Sequence, residues 1–456
     1  MQSPTDSICA LSTPPGRSGV AVVRFSGEEC LTILRQICGK ALPELRKAGL
    51  RRLVDPRSNE VIDEAVVTIF KAPDSYTGEN LVEISPHGNP AIVSALLDVL
   101  CHLGARLALP GEFTMRAFMH GRIDLAEAEA INDIIEARTL YQAQTATRQT
   151  RGAVARELQP VRDNLIEAIV NLESVVEFAE EDMPMVSREA ICDLLGAAAR
   201  RLKKLINSFR KGRIVREGFT LAIVGPPNAG KSSVFNAILG RDRSIVTDIP
   251  GTTRDLVSEG AVIGGIPVRF EDTAGLRTGG GEIEKLGMEH SRMAATDADA
   301  VLLVVDASRN FTEEEYELRR YLAPVTGIVI LNKSDLPPHV TEEEKQAFSG
   351  LWPFVDVSAK TGQGIDEAQN VILKQISGEM NADRDGFMIT NLRHCQALEK
   401  ALDGLEHGTV ALQKGMSEEF ALFDLRVALD AVGEITGETD MENLLDEIFS
   451  RFCVGK

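Results

Sequence analysis

Three hydrophobic rhythms divide the chain. Over residues 1–120, short runs rich in β-branched residues, VAVVRF (20–25), AVVTIF (65–70) and LVEIS (81–85), mix with helical stretches. Proline- and glycine-bearing turns at 14–16, 86–90 and 110–111 separate them. Such runs between such turns predict strands, and the segment reads as an α+β or α/β domain. From about Leu125 to Val215 the apolar positions recur at threes and fours, which predicts helices, interrupted by Pro160. A break at Asp182-Met183-Pro184, with Ser187 as N-cap, predicts a fresh helix start.

From Phe219 the pattern changes again. FTLAIVG, PVRFEDTAG, AVLLVVDAS and GIVILNKSD are continuous apolar runs, each ending in a polar loop, with helical stretches between most of them. Strands buried on both faces read this way, so a doubly wound sheet of parallel strands is predicted. It ends near Ser377, and helical periodicity returns to the end of the chain. The fold class is therefore multidomain, α/β plus all-α. An N-terminal α+β domain (1–120) precedes a helical domain split in sequence (121–216 and 379–456), into which a doubly wound domain (217–378) is inserted.

Composition changes this picture little. With 44% hydrophobic and 26% charged residues the chain is of ordinary soluble globular type. No apolar run approaches the ~18 residues of a membrane span, and the N-terminus lacks a secretory pattern. A cytoplasmic protein with no membrane partner is expected. The seven cysteines are scattered without a CxxC pair, which disfavours metal and disulfide frameworks and makes most of them small buried apolar residues. The net charge of −19 argues against a phosphate-binding surface as the main design. It is unevenly spread, with 7 basic and 16 acidic residues over 379–456 against 15 of each over 122–216. A basic cluster, Arg210, Lys211, Arg213 and Arg216, reads either as a solvated linker or as an RNA or phosphate contact.

The inserted domain carries the chemistry. Gly225-Pro226-Pro227-Asn228-Ala229-Gly230-Lys231-Ser232 fits GxxxxGK[ST] after a strand and before a helix, the context of a phosphate-binding loop. Backbone N–H groups over Asn228, Ala229, Gly230, Lys231, Ser232 and Ser233 can turn toward phosphates at a helix N-terminus. Lys231 is expected at the β- and γ-phosphates and Ser232 on Mg²⁺. Asp272-Thr273-Ala274-Gly275 ends the next strand, with Asp272 expected on Mg²⁺ through water and the Gly275 amide as the γ-phosphate sensor. Asn332-Lys333-Ser334-Asp335 supplies a carboxylate that can accept from two guanine donors at once, a pair adenine lacks. Ser358-Ala359-Lys360 is expected to offer a backbone N–H to the guanine carbonyl. Between the first two motifs, Thr253 is the expected switch ligand of Mg²⁺. Four motifs in this order predict a Ras-like G domain that hydrolyses GTP. Leu276, however, stands where Ras-type enzymes carry a water-orienting glutamine. Glu282 and Glu284 are the candidate replacements, or else two exposed charges at a helix start.

Segments outside the G domain are more specific. TPPGRSGVAVVRFSG (13–27), EISPHGNP (83–90), PGEFTMRAFMHGRIDLAEAEA (110–130) and Phe452-Cys453-Val454-Gly455-Lys456 together resemble the MnmE (TrmE) family of tRNA-modification GTPases over nearly the whole chain. The resemblance implies an N-terminal domain that binds tetrahydrofolate and dimerises, and a homodimer whose G domains also pair. It implies a flavin-dependent MnmG-type partner, in a heterotetramer or larger complex. Together they would add a (carboxymethyl)aminomethyl group at C5 of a tRNA wobble uridine, using 5-formyl- or methylene-tetrahydrofolate. Carried over residue by residue, Asn228 with Thr247, Ile249 and Thr252 would hold K⁺, with Thr247 also beside the nucleotide. Glu284 would orient the catalytic water. Arg24, Glu83, Arg122 and Lys456 would contact folate, and Cys453 would serve the modification but not GTP hydrolysis. His87-Gly88-Asn89 departs from the HGG of many members, with Asn89 expected to tolerate left-handed backbone. The alternatives are a ribosome-assembly GTPase, disfavoured by the acidic C-terminal region, and a folate-binding scaffold with a vestigial G domain, disfavoured by the complete motif set.

Overall fold

A computed structural model of the chain describes residues 6–39, 41–177, 186–241, 260–272, 298–337, 339–379, 386–438, 445 and 448–455. They form two compact units. One holds Met1–Asn132, Thr147–Ala198 and Lys400–Lys456, and the other Asp133–Ala146 and Ala199–Glu399. No described helix is long and apolar enough to cross a membrane.

In the first unit, strands β1 (Ile8–Leu11), β2 (Val23–Ser26), β3 (Gly49–Val54), β4 (Val61–Phe70), β5 (Leu81–Ser85) and β6 (Arg106–Leu107) form one sheet in the order β3-β4-β5-β2-β1-β6. All pairs are antiparallel except β1 with β6. The pleat sends alternate residues to opposite faces. Val23, Phe25, Val67, Ile69, Val82 and Ile84 meet helices α1 (Cys30–Cys38) and α2 (Pro90–His102) in one core. Ile8, Ala10 and Leu81 meet Phe113 of α3 (Glu112–Met119) in another. Strands β1, β3 and β6 add to the three the sequence predicted. Asn89 corrects an expectation: its φ is −109°, extended, and its side chain caps α2 by accepting from Ala91 N–H at 2.9 Å.

Helices α4 (Leu125–Glu136), α5 (Leu140–Gln149), α6 (Ala153–Glu177) and α7 (Arg188–Glu217) follow, with Pro160 inside α6. Ser187 accepts from Ala190 N–H at 3.2 Å, as predicted for the α7 cap. Late in the chain come α12 (Leu392–Gln413) and α13 (Glu418–Thr436). The chain then returns to the first unit's core. Phe449 and Phe452 pack with Leu125 and Ala128, and with Met115, Phe118 and Ile123 beside them.

In the second unit the sheet runs β12-β11-β10-β7-β9-β8. Its members are β7 (Phe219–Val224), β8 (Gly260–Ile263), β9 (Ile266–Asp272), β10 (Ala300–Asp306), β11 (Gly327–Asn332) and β12 (Phe354–Asp356). The pairs are parallel except β8 with β9, an edge hairpin turned by Gly264 and Gly265, both at positive φ. Around the sheet lie α8 (Lys231–Arg241), α9 (Glu313–Tyr321), α10 (Glu342–Ser349) and α11 (Ile365–Glu379). Leu221 and Ile223 face one core and Ala222 and Val224 the other, which is why this strand reads as a continuous apolar run.

An ion network ties the first unit together. Arg116, on α3 and almost wholly buried, donates to Asp6 at 2.7 Å, Glu112 at 2.9 Å and Glu79 at 3.1 Å. Arg106 adds bonds to Asp6 at 2.6 Å and Glu112 at 2.5 Å. Burial alone would raise both carboxyls, but the two guanidinium groups outweigh it and hold Asp6 and Glu112 below their ordinary values. Depressed folded pKa values mean stabilisation that is complete above the unfolded values near 3.8 and 4.5 and is lost as pH falls through the folded ones. The melting temperature of the first unit should therefore drop as the pH falls below the ordinary carboxyl values of 4.5 and 3.8. Arg116→Met should destabilise the unit by about 3–5 kcal/mol near neutral pH, because Glu112 is left buried with one partner fewer. It should also flatten the acid drop. Thermal unfolding across pH checks both, and an unchanged acid slope would remove the network from the account.

Candidate functional site

The phosphate-binding loop is shaped by backbone crowding. Gly225 (φ 148°) follows β7, and a Cβ there would collide with the Val304 carbonyl on β10. Gly230 (φ 92°) precedes α8, and a Cβ there would collide with the Asn332 side-chain amide. Asn228 adopts φ 61° and is exposed. Only glycine meets the first two demands without strain. The Lys231 ammonium folds back across the loop, donating to the carbonyls of Gly225 at 2.8 Å and Pro226 at 2.9 Å. Ser232 and Ser233 stand exposed in the first turn of α8, where N–H groups lack helical partners. This cradle, positive from helix terminus and lysine together, fits a polyphosphate with a divalent ion.

The 332–335 and 358–360 loops meet the cradle through one buried side chain. Asn332, at the end of β11, donates through its amide to the Ala229 carbonyl at 2.8 Å. Its own oxygen accepts from Ala359 N–H at 3.2 Å. Ser358, fully buried, donates to Asp335 Oδ1 at 2.7 Å and accepts from Thr361 N–H at 3.2 Å. Asp335 and Lys360 are exposed at the rim. Lys333 takes φ 67° and pairs with Asp306 at 2.6 Å. Burial would raise the Asp306 carboxyl, yet the Lys333 ammonium and two bonds from Ser308 hold it below the ordinary range. The fold thus gathers Asn228, Ala229, Gly230, Lys231, Ser232, Ser233, Asn332, Lys333, Asp335, Ser358, Ala359 and Lys360 at the carboxyl ends of parallel strands, where ligands bind in open α/β sheets. Asp306 was missed, although its place at the end of an apolar strand was a signal for it. Thr247, Ile249, Thr252, Thr253, Thr273, Ala274, Gly275 and Glu284 lie outside the described residues, as does the Asp272 side chain.

In the first unit the pleat builds a second cluster. Arg24 lies between the inward Val23 and Phe25, so it faces the other side of the sheet. Its register partner across the β2–β5 pair is Glu83, and the two side chains bond at 3.1 Å. The Arg24 guanidinium lies 5.2 Å from the Tyr76 ring centroid, and Tyr76 shares a 2.8 Å hydrogen bond with Thr114. Arg122, exposed, passes Gly78 so closely that a Cβ there would sit 3.4 Å from its Cγ. Arg24 and Arg122 therefore meet the same short loop, at Tyr76 and at Gly78. A half-exposed Arg–Glu pair beside an aromatic ring can take a flat, polar heterocycle.

The C-terminal segment joins this unit. Gly111 N–H donates to the Cys453 carbonyl at 3.3 Å, Pro110 bridges Val454, and Ser12 Oγ donates to the Gly455 carbonyl at 2.9 Å. Gly455 (φ 94°) passes so close to the Leu11 carbonyl that a Cβ would collide. Cys453 is exposed, unlike Cys9, Cys30 and Cys395. Lys456 lies outside the described residues.

Comparison with known proteins covers the same ground. The family described as "MnmE helical domain" matches residues 125–453, and "GTP-binding protein TrmE N-terminus" matches residues 7–122. A tRNA modification GTPase MnmE of Koribacter versatilis is 44% identical over 456 residues, 99% of each chain. Proteins of that name from Thermoanaerobacter pseudethanolicus and Aquifex aeolicus are 41% and 40% identical, over 99% of this chain and 99% and 100% of theirs.

The Asn332 bridge yields a quantitative expectation. Asn332→Ala removes two neutral hydrogen bonds worth roughly 0.5–1.5 kcal/mol each, so GTP affinity should fall by about 5- to 150-fold. The loss should extend to phosphate-only ligands, because Ala229 belongs to the phosphate loop. Titration with GTP and with pyrophosphate checks this, and unchanged pyrophosphate binding would show that the two loops are not coupled.

Proposed function

This chain belongs to the MnmE family of tRNA-modification GTPases, and we propose that it couples GTP hydrolysis to the addition of a (carboxymethyl)aminomethyl group at C5 of a wobble uridine. A tetrahydrofolate one-carbon unit and a flavoprotein partner of MnmG type take part, the chain working as a homodimer in the cytoplasm. Its domains are a tetrahydrofolate-binding and dimerising part (1–120), two helical segments (121–216 and 379–456) and the G domain (217–378).

On this reading the G domain binds GTP through the amides of the 228–233 loop. Lys231 exchanges the Gly225 and Pro226 carbonyls it now holds for β- and γ-phosphate oxygens. The Asp335 carboxylate, steadied by Ser358, accepts from the guanine edge, and Ala359 offers its N–H to the guanine carbonyl. Ser232, with Thr253, would hold magnesium, and Asn228, with Thr247, Ile249 and Thr252, would hold potassium; these ions supply the positive charge that the transferring phosphoryl group needs. The left-handed, exposed Asn228 in the middle of the phosphate loop supports that role. Glu284 orients the attacking water in place of the missing glutamine.

The observation that carries the one-carbon half is the placement of the C-terminal segment. Cys453 is held exposed on the unit that contains Arg24, Glu83 and Arg122. Arg24 and Glu83 on the sheet face, together with Arg122 from the turn after α3 and Lys456, would take the folate.

GTP turnover should be faster in potassium than in sodium at matched ionic strength, and Asn228→Ala should reduce that difference. Equal rates in the two salts would remove the potassium role. Glu284→Ala should leave GTP affinity near the wild-type value and slow hydrolysis by about tenfold or more, as for a residue that touches only the attacking water. Cys453→Ser should leave both GTP affinity and turnover unchanged and lower modified wobble uridine in cells. Nucleotide titration, hydrolysis kinetics and nucleoside analysis of tRNA test the pair. Normal turnover in the Glu284 variant, or wild-type modification in the Cys453 variant, would refute the corresponding assignment.

A further inference from the structure

The charge of this chain is −19, yet residues 200–216 contain eight basic side chains and no acidic one. They are not a linker. They lie within α7, a continuous helix from Arg188 to Glu217. Arg213 pairs with Asp299, and Arg216 with Asp133 at 2.8 Å. Beneath the stretch from Arg200 to Lys211, Leu202 and Leu205 are buried, and past it the helix is buried at Ile214 and Val215, with Gly212 pressed against the Ile389 carbonyl. At about 100° per residue, Arg200, Lys203, Lys204, Arg210 and Lys211 fall within an arc of roughly 120° opposite Leu202 and Leu205. Arg200, Lys203, Lys204 and Arg210 are exposed and Lys211 half-exposed.

We propose that this face of α7, from Arg200 to Lys211, is a contact surface for the phosphate backbone of a structured RNA, the tRNA substrate of the proposed reaction. Charge complementarity argues for it: five cations in line, with Asn207 as the one other residue in the arc. The stripe runs roughly 16 Å along the helix axis, long enough to follow several phosphates. A protein partner would need apolar or aromatic anchors at the centre of the patch, and the arc between Arg200 and Lys211 has none. Long Lys and Arg side chains without base-reading partners position a backbone and read no sequence. That suits a protein that meets more than one tRNA. The inference rests on tRNA being the substrate and adds where its backbone is gripped.

The test uses the full chain carrying Arg200→Gln, Lys203→Gln and Lys204→Gln together, changes that preserve helix propensity. Binding of a labelled tRNA is followed by fluorescence anisotropy from about 50 to 200 mM KCl, where such contacts give a steep salt dependence. The variant should show a Kd raised at least roughly tenfold and a log–log salt slope shallower by about 2–3. Its GTP turnover should match the wild type, which also reports an intact fold. Wild-type Kd and slope in the variant, or no tRNA binding by the wild type, would overturn the proposal. So would polyglutamate binding as tight as tRNA and lost equally in the variant, since the surface would then suit an acidic protein. The reading of the reaction is tested separately: if the wild-type gene fails to restore modified wobble uridine in a strain lacking its own, that reading fails whatever the anisotropy shows.

Discussion

One planar side-chain amide joins the three loops that make the nucleotide site. Asn332 is buried at the end of a central parallel strand, and its two polar atoms are both committed, to Ala229 in the 225–231 loop and to Ala359 in the 358–360 loop. Gly230 must lack a side chain because that amide occupies the space a Cβ would take. The position of the phosphate loop, the conformation of its last glycine and the approach of the 358–360 loop are consequences of a single residue. A buried amide with every bond satisfied rigidifies what it touches, and one lost bond leaves a costly orphan.

The first unit obeys a different constraint, the twofold alternation of a pleated sheet. Because Val23 and Phe25 must face the helices, Arg24 must face away from them, and the antiparallel register sets it against Glu83. The same opposite side collects Tyr76 and the loop that Arg122 passes. The C-terminal segment is then anchored by aromatic packing at Phe449 and Phe452 and by backbone bonds at Gly111 and Ser12, which leaves Cys453 exposed on that unit. Acid–base pairing at Asp6, Glu112 and Arg116 holds the N-terminus against α3. Residues near both ends of the chain thus meet within one unit.

Much of this was legible in the chain itself. The strands β7, β9, β10 and β11 are apolar runs that lead into polar motifs, and the motif residues described after β7, β10 and β11 lie where that pattern placed them. The Ser187 cap was visible because a cap is set by residues within one turn. Other features escaped. Strand β8 was overlooked although Gly264-Gly265 announces its hairpin, because a four-residue edge strand carries little periodicity. Asn89 was read as a glycine substitute and is a helix cap instead, a choice made by its neighbour Pro90 opening α2. The basic cluster at 210–216 read as a linker or a phosphate contact, and two of its arginines proved to be paired.

What the sequence determined alone is therefore local: the period of each element, the glycines that a tight loop demands, and the order of the GTPase motifs. Those depend on residues within a few positions of one another, where sterics and backbone hydrogen bonding act directly. What only the tertiary structure decided is which distant residues meet. Arg24 finds Glu83 across 59 positions, Asn332 reaches Ala229 across 103, and Ser12 holds Gly455 across 443. No local rule contains such pairs. They are fixed when buried apolar faces dock and the polar groups carried with them must find partners or remain unsatisfied at a cost of about 1–3 kcal/mol each.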